Sequence, residues 1–251
     1  MGIFDAHFHI IDPRFPLIKN QEYLPPSYTV KDYCKRTDHL DIVGGAVVSG
    51  SFQAFDQSYL LDALSRLGEM FVGVTQLPFS ATDEEITYLH RNRVRAVRFN
   101  VRRGGSESIL NLEALAKRVY ELAGWHVELY IESRFLPEIA SVIKRLPAVS
   151  IDHLGLTRAG FPTLLQLVDR GMRVKATGFG RTEVDIKESL RTIVAVNPNA
   201  LLFGTDLPST RAARPFRDLD IQWITETVGE GMAQKVLFQN AVEWYGVDGK
   251  G

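Results

Sequence analysis

The feature that most constrains the fold is a regular alternation of short apolar, β-branched runs with longer stretches of helical periodicity. This alternation is typical of strand–helix units that build a parallel sheet. Eight runs of the strand type follow one another along the 251-residue chain. They span residues 2–10, 42–50, 71–78, 94–101, 126–133, 148–155, 172–179 and 201–208. Helical patterns lie between them, for example at residues 59–68, 111–124 and 184–196.

Eight such units in a chain of 251 residues predict an α/β fold, a single (β/α)8 TIM barrel. An open doubly wound sheet usually has fewer strands and a glycine-rich phosphate turn, and no GxGxxG motif follows any of the eight runs. We therefore expect residues 1–251 to form one domain. Residues 11–41 contain four prolines and no clear helix, so we expect an extended loop near the active-site mouth.

The composition indicates a globular protein whose partner is a small molecule. Hydrophobic residues make up 45% and the formal net charge is −1, so no overall field would attract nucleic acid or an anionic membrane. The N-terminal stretch does not resemble a signal peptide, and the single Cys34 excludes an internal disulfide framework. We expect a cytoplasmic protein that binds no nucleic acid and no membrane. The sequence specifies no oligomeric state.

The first predicted strand ends with two histidines, His7 and His9, in the stretch FDAHFHI. Successive side chains of a strand point to opposite faces, so the two imidazoles share a face and Phe8 takes the other. Active sites of (β/α)8 barrels lie at the C-terminal ends of the strands, where both imidazoles would point toward the axis. For this pair alone, the alternative is two unrelated histidines, each hydrogen-bonded in a partly buried place.

Polar groups at the ends of later strands favour a functional cluster over that alternative. A third histidine, His153, ends the sixth predicted strand in DHLG, and Asp206 ends the eighth in GTDLP. Because the carboxyl ends of the strands meet at one mouth of the barrel, we expect these groups to converge with His7 and His9. Imidazoles and a carboxylate at one point can bind a metal ion or transfer a proton.

These motifs resemble those of the amidohydrolase superfamily, in its amidohydrolase-2 type, and more closely its 2-pyrone-4,6-dicarboxylate lactonase-like branch. The resemblance also includes the phrases VRAVRFNV, SIDHLG, VKATGFGR and GTDLPST, and it covers nearly the whole chain. It implies a hydrolase that attacks a carbonyl carbon and commonly opens a small lactone, with Asp206 as the general base toward water. His7, His9 and His153 would then ligate a divalent ion or polarise the carbonyl group.

The resemblance leaves two alternatives for a metal cofactor. Many metal-dependent relatives carry a histidine or a modified lysine near the end of strand 5, whereas this chain reads HVELYIES, with Glu132 at that end. One alternative is a single zinc or manganese ion held by imidazoles and carboxylates, from the set His7, His9, Glu132, His153 and Asp206. The other is catalysis without a metal, as in some members of the lactonase branch.

Arginines near the predicted mouth indicate an anionic substrate. Arg98 should point inward together with Asn100, and a buried guanidinium needs a carboxylate from either the protein or the substrate. A structural pair between Arg98 and Glu132 is the alternative interpretation. The expected substrate contacts are Arg98, Asn100, Tyr130, Arg181 and Gln53. A carboxylated lactone or a sugar-acid lactone fits such a site.

Three other functions compete with a lactonase at this point. The same site could belong to an amidase or to a non-oxidative decarboxylase, since metal-bearing barrels of this superfamily include decarboxylases. The altered strand 5 would also suit a ligand-binding barrel that has lost catalysis. Outside the proposed site, we expect Asp152 to face away from His153, and His126 to be a surface or helix residue.

Overall fold

The (β/α)8 barrel predicted from the sequence is confirmed by the computed structural model, which describes residues 2–247. Each strand pairs in parallel with the next one along the chain. The strands are β1 (Ile3–Phe8), β2 (Ile42–Val48), β3 (Phe71–Thr75), β4 (Val94–Phe99), β5 (His126–Leu129), β6 (Val149–Ile151), β7 (Arg173–Ala176) and β8 (Leu201–Phe203). The segment after β8 joins β1, because the amide of Asp206 donates to the His7 carbonyl at 2.7 Å.

Helices surround the strands and pack on them through one apolar face. They are α1 (Val30–Thr37), α2 (Ser58–Arg66), α3 (Asp83–Arg91), α4 (Leu112–Ala123), α5 (Leu136–Ile143), α6 (Phe161–Asp169), α7 (Ile186–Val196), α8 (Leu219–Val228), α9 (Glu230–Gln234) and α10 (Asn240–Tyr245). In α4 the buried residues are Leu112, Leu115, Ala116 and Val119, the spacing of a helix with one apolar face. None of the helices in residues 2–247 combines the length and apolar character that a bilayer crossing requires.

Two sets of apolar side chains fill the molecule, one inside the barrel and one between the strands and the helices. Strand residues alternate between them: Val72 and Val74 of β3 belong to the inner set, whereas Phe71 belongs to the outer set. Tyr245 of α10 stacks on Phe4 of β1, with ring centroids 5.5 Å apart, and joins the inner set. The barrel interior is therefore packed with side chains near the N-terminal ends of the strands.

The strand β1 departs from simple alternation, and this departure matters for the histidines. Its register against β2 shifts between Asp5 and Phe8. Ala6 belongs to the inner apolar set, and the next side chain, His7, also turns into the barrel. Phe8 packs outward on Tyr33 of α1, with ring centroids 3.8 Å apart. The irregularity places the His7 imidazole on the axis directly after an inward apolar residue.

The expectation of an extended loop over residues 11–41 is wrong in one part, because Val30–Thr37 forms the helix α1. Thr29 and Asp32 form a capping box at its start, and Tyr33 anchors it to β1 through Phe8. The preceding segment crosses toward the loops after β2 and β4. There the Ile18 amide donates to the carbonyl of Phe52, and the Asn20 side chain donates to the carbonyl of Arg103.

Candidate active site

Four side chains from three strand ends meet at the C-terminal mouth of the barrel. The Nε2 atoms of His7 and His9 lie 3.9 and 3.8 Å from Oδ1 of Asp206. The ring of His153 is 4.9 Å from that of His7, measured between centroids. All four side chains are buried. The structure thus brings together the residues that the sequence analysis selected, although up to 199 positions separate them in the chain.

The backbone after β8 fixes the direction of the Asp206 carboxylate. Asp206 has a φ of +61°, a conformation that side-chain-bearing residues rarely adopt, and its amide is bound to the His7 carbonyl. The buried carboxylate of Asp5 accepts hydrogen bonds from both the amide and the hydroxyl of Thr205, at 2.8 and 2.6 Å. Asp5, which the sequence did not indicate as part of the site, thereby connects β1 to the turn that carries Asp206.

The two oxygens of Asp206 have different surroundings. Arg181 donates to Oδ2 through Nε at 2.9 Å and Nη2 at 2.5 Å. The Oδ1 atom is buried and has no hydrogen-bond partner within residues 2–247. Burial raises the pKa of Asp206 to about 6, because it outweighs the opposing effect of the Arg181 guanidinium. At neutral pH the carboxylate is therefore largely ionised and can accept a proton through Oδ1.

The three histidines of the cluster are neutral at pH 7. Burial, reinforced by the positive charge of Arg98, lowers the pKa of His9 to about 3. Burial also lowers the pKa values of His7 and His153 well below the ordinary histidine value, with Lys175 and Arg181 as the largest charged contributors. The Nδ1 atom of His9 lies 2.7 Å from the Val48 carbonyl, which can only accept, so Nδ1 carries the proton and Nε2 offers a lone pair.

Arg98 is paired within the protein, and its partner is Asp152 rather than Glu132. Nε and Nη2 of Arg98 donate to Oδ2 of Asp152 at 3.1 and 2.8 Å. The expectation that Asp152 faces away from His153 is wrong. The strand β6 ends at Ile151 and His153 has a φ of +54°, so strand alternation no longer applies there. Asp152 Oδ1 consequently lies 3.5 Å from Nδ1 of His7.

A buried ion pair below the histidines was also missed. Lys175 of β7 and Glu128 of β5 are fully buried, with Nζ 2.5 Å from Oε2. Burial alone would raise the pKa of Glu128. The Lys175 ammonium and the hydrogen bond to His126 lower it by more than burial raises it, so the pKa lies below the ordinary value. His126 is buried beside Glu128 because it begins β5 on the same inward face, which corrects the surface or helix assignment. A lysine amid apolar strand residues was the available signal for this pair.

A narrow cleft, open to solvent, lies above the histidines. Its lining includes His9, His153 and Asp206, together with four arginines: Arg98, Arg103, Arg181 and Arg211. Arg103 Nη1 lies 3.3 Å from the side-chain oxygen of Gln21, and Arg211 Nη1 lies 3.2 Å from that of Asn20. Within residues 2–247, neither Arg103 nor Arg211 forms an ion pair with a carboxylate. An anionic ligand would therefore meet two guanidinium groups that have only neutral partners.

The predicted substrate contacts divide into two groups. Arg98, Asn100, Tyr130 and Arg181 line the cleft. Gln53 is not part of this lining, because its buried amide accepts from the Gly50 amide at 2.6 Å and donates to the Ile10 carbonyl at 2.6 Å. The structure thus assigns Gln53 to holding the loop after β2, which corrects its assignment as a substrate contact.

The predicted metal ligands also divide. Each of two groups of three residues could hold a metal ion, with ligand atoms within 4.8 Å of one another: His7, His9 and Asp206, and His7, Asp152 and His153. The buried Oδ1 of Asp206 and the lone pair of His9 Nε2 suit such a role. Glu132 belongs to neither group. Its carboxylate forms ion pairs with Arg102 and Arg134 beyond the end of β5, which corrects its assignment as a ligand.

Comparisons with known proteins identify relatives of this chain. The amidohydrolase family profile matches residues 4–247. The chain is 33% identical to a 2-pyrone-4,6-dicarboxylate hydrolase of Comamonas testosteroni, over 97% of this chain and 90% of that protein. It is 28% identical to a 4-sulfomuconolactone hydrolase of Hydrogenophaga intermedia, over 82% of this chain and 75% of that protein.

Solved structures show the same fold. A crystal structure from Acinetobacter baumannii, described as a probable 2-pyrone-4,6-dicarboxylic acid hydrolase, superposes with a TM-score of 0.84 at 22% identity. The match covers 98% of this chain and 100% of the other chain. The two chains therefore share the same overall fold.

Proposed function

This chain belongs to the amidohydrolase family and is a hydrolase, and from that premise we propose that it opens a small lactone bearing carboxylate groups. The observation that carries the proposal is the free Oδ1 of Asp206, which faces two neutral imidazoles below a cleft rich in arginine. The two relatives described above are named for anionic lactones, which suits such a cleft. A 2-pyrone-4,6-dicarboxylate or a lactone of similar size and charge is the substrate class that we expect.

In the proposed mechanism, Asp206 acts as the general base. Its Oδ1 accepts a proton from a water molecule placed against His9, whose Nε2 lone pair helps to orient that water. The water oxygen then bonds to the lactone carbonyl carbon. Arg181 keeps Oδ2 occupied, so proton transfer is directed to Oδ1.

Ring opening follows from the resulting tetrahedral species. The imidazole N–H of His7 or His153 and the guanidinium groups of Arg98 and Arg181 can donate hydrogen bonds to the carbonyl oxygen as it becomes negative. The bond from the carbon to the ring oxygen breaks, and the proton held by Asp206 passes to the leaving oxygen. The products are a new carboxylate and a hydroxyl or enol, and one proton is released to solvent at neutral pH.

The charges around the histidines favour chemistry without a resident metal. Three ion pairs border them: Arg98 with Asp152, Lys175 with Glu128, and Arg181 with Asp206. Each carboxylate is matched by a cation, so a divalent ion would add two positive charges to a set that is already balanced. The donor atoms therefore fit a metal ion only in part, and the steps above use the protein's own groups.

Metal removal tests this inference. We expect that dialysis against a chelator leaves kcat and KM unchanged, and that adding zinc or manganese afterwards does not raise the rate. The measurement is the rate of lactone opening alongside elemental analysis of the same samples. Loss of activity with the metal, and its recovery on readdition, would show that His7, His9 and Asp206 hold a catalytic ion.

A panel of lactones tests the proposed substrate class. We expect proton release with dicarboxylated lactones and much less with neutral lactones of the same ring size. Replacing Arg103 and Arg211 by Met should raise KM for the anionic substrates by roughly 10- to 100-fold per arginine, since a hydrogen bond to a charged group contributes about 1.5–3 kcal/mol. The kcat should change little, because these groups bind substrate and transition state alike.

The matched control is Arg191→Met, on the exposed side of α7. It should leave every KM unchanged. An equal loss for neutral and anionic lactones in the double variant would contradict a role of Arg103 and Arg211 in anion binding.

A further inference from the structure

The buried pair of Lys175 and Glu128 takes no direct part in the proposed ring opening. Both side chains are fully buried, on neighbouring levels of β7 and β5 near the barrel axis. Removing two charges from water is costly, and a well-packed apolar pair is often at least as stable. A pair in this place is therefore better explained by what it does to its neighbours than by its contribution to stability.

Glu128 is held firmly through both of its oxygens. Lys175 Nζ lies 2.5 Å from Oε2. The hydroxyl of Tyr245 donates to Oε1 at 2.6 Å, and His126 Nε2 lies 3.2 Å from the same oxygen. Because these partners come from β5, β7 and α10, the carboxylate gives Lys175 a fixed anchor.

The remaining protons of the Lys175 ammonium point toward β1. Nζ lies 2.9 Å from the Ala6 carbonyl and 3.3 Å from Nδ1 of His7. An ammonium group only donates, so Nδ1 of His7 must accept. The proton of the His7 ring then resides on Nε2, which faces Oδ1 of Asp206 at 3.9 Å.

His9 has the opposite tautomer. Its Nδ1 donates to the Val48 carbonyl, and its Nε2 presents a lone pair 3.8 Å from the same oxygen of Asp206. One reacting oxygen placed among these three atoms would meet an N–H from His7, a lone pair from His9 and the carboxylate. Two histidines two residues apart thus have different roles because different partners bind their Nδ1 atoms.

We propose that Lys175, anchored by Glu128, is a positioning residue that fixes His7 in the tautomer with its proton on Nε2. His7 thereby becomes a hydrogen-bond donor at the reacting centre. That it donates to the lactone oxyanion rests on the proposed function, whereas its tautomer does not. Without Lys175, Oδ1 of Asp152, which lies 3.5 Å from Nδ1, would draw the proton to the other side of the ring.

The test is nitrogen NMR of protein carrying ¹⁵N-labelled histidine, with His7→Gln used to assign the His7 signals. We expect the wild type to show the Nε2–H tautomer of His7. The variant K175M/E128Q removes both charges together, and we expect it to show the Nδ1–H tautomer. Its kcat should fall about 100-fold through loss of the donor, with a smaller change in KM.

The matched control is K187M/E226Q, which removes a lysine–glutamate pair at the surface. It should change neither the His7 signals nor kcat. A wild-type His7 with its proton on Nδ1, or a K175M/E128Q protein that keeps the proton on Nε2, would overturn the proposal. Should the variant not fold, the wild-type spectrum still supports or overturns it. An Nε2 proton in a protein that opens no lactone would contradict only the proposed function.

Discussion

Replacing Asp206 by Asn is expected to reduce kcat by about 100- to 10,000-fold, the usual contribution of a positioned general base. An asparagine keeps the shape of the side chain and an oxygen for Arg181, but it cannot accept a proton from water. Rates of lactone opening measure the effect, and thermal unfolding shows whether the fold is retained. The control Asp218→Asn removes an exposed carboxylate paired with Arg36, and it should leave kcat unchanged.

If Asp206 is the base, kcat/KM of the wild-type enzyme should depend on the protonation state of its carboxyl group. Burial raises the pKa of Asp206 to about 6, so below that pH the carboxyl group is protonated and cannot act as a base. We expect kcat/KM to fall about tenfold per pH unit below pH 6 and to level off above pH 7. The His9 pKa of about 3 keeps that ring neutral over this range. An Asp206→Asn enzyme with near wild-type kcat and an unchanged acid limb would remove Asp206 as the base.

Replacing Arg98 by Met should destabilise the protein by about 3–5 kcal/mol, because it leaves the Asp152 carboxylate buried without its main partner. The side chains of this pair are 3% and 0% exposed, and the guanidinium also donates to the Ser49 carbonyl at 2.8 Å. The loss should appear as a lower midpoint of urea unfolding.

A second substitution isolates the contribution of the charge. In the variant R98M/D152N the buried charge is absent, so we expect a large part of the lost stability to return. The exposed pair of Arg145 and Glu113 serves as the matched control, and its neutralisation should cost less than about 1 kcal/mol. A double variant as unstable as the sum of its single variants would show that the Arg98–Asp152 ion pair is not what stabilises this part of the barrel.

The fold and the centre of the site could be predicted because both depend on local patterns. Apolar runs set the strands, and the strand ends of a (β/α)8 barrel share one mouth, so His7, His9, His153 and Asp206 could be placed together from their positions in the sequence. These groups need no knowledge of the loops. They lie at or directly after strand ends, and these ends all meet at the same mouth of the barrel.

The surroundings of the site could not be predicted, because they depend on partners from distant strands and on backbone beyond the strand ends. Asp152 reaches Arg98 since the chain leaves the strand conformation at His153. Glu132 lies near the end of the fifth predicted strand, but its carboxylate forms ion pairs with Arg102 after β4 and Arg134 after β5. Strand alternation, which placed Asp152, and position at a strand end, which selected Glu132, are guides only as far as the strand itself.

The tautomer of His7 shows the same limit. Its partner Lys175 is 168 positions away and reaches it only when β7 and β1 are both built into the barrel. No spacing in the sequence could have indicated which nitrogen of the ring carries the proton.

Above all, we propose that Asp206 and the imidazoles beside it direct a water oxygen onto a lactone carbonyl carbon. Turnover of 2-pyrone-4,6-dicarboxylate in ¹⁸O-labelled water, followed by mass spectrometry of the product, tests it most directly. We expect one ¹⁸O atom in the new carboxylate and one proton released per turnover, with neither formed by Asp206→Asn. Release of carbon dioxide, or a product without ¹⁸O in a carboxylate, would contradict the account.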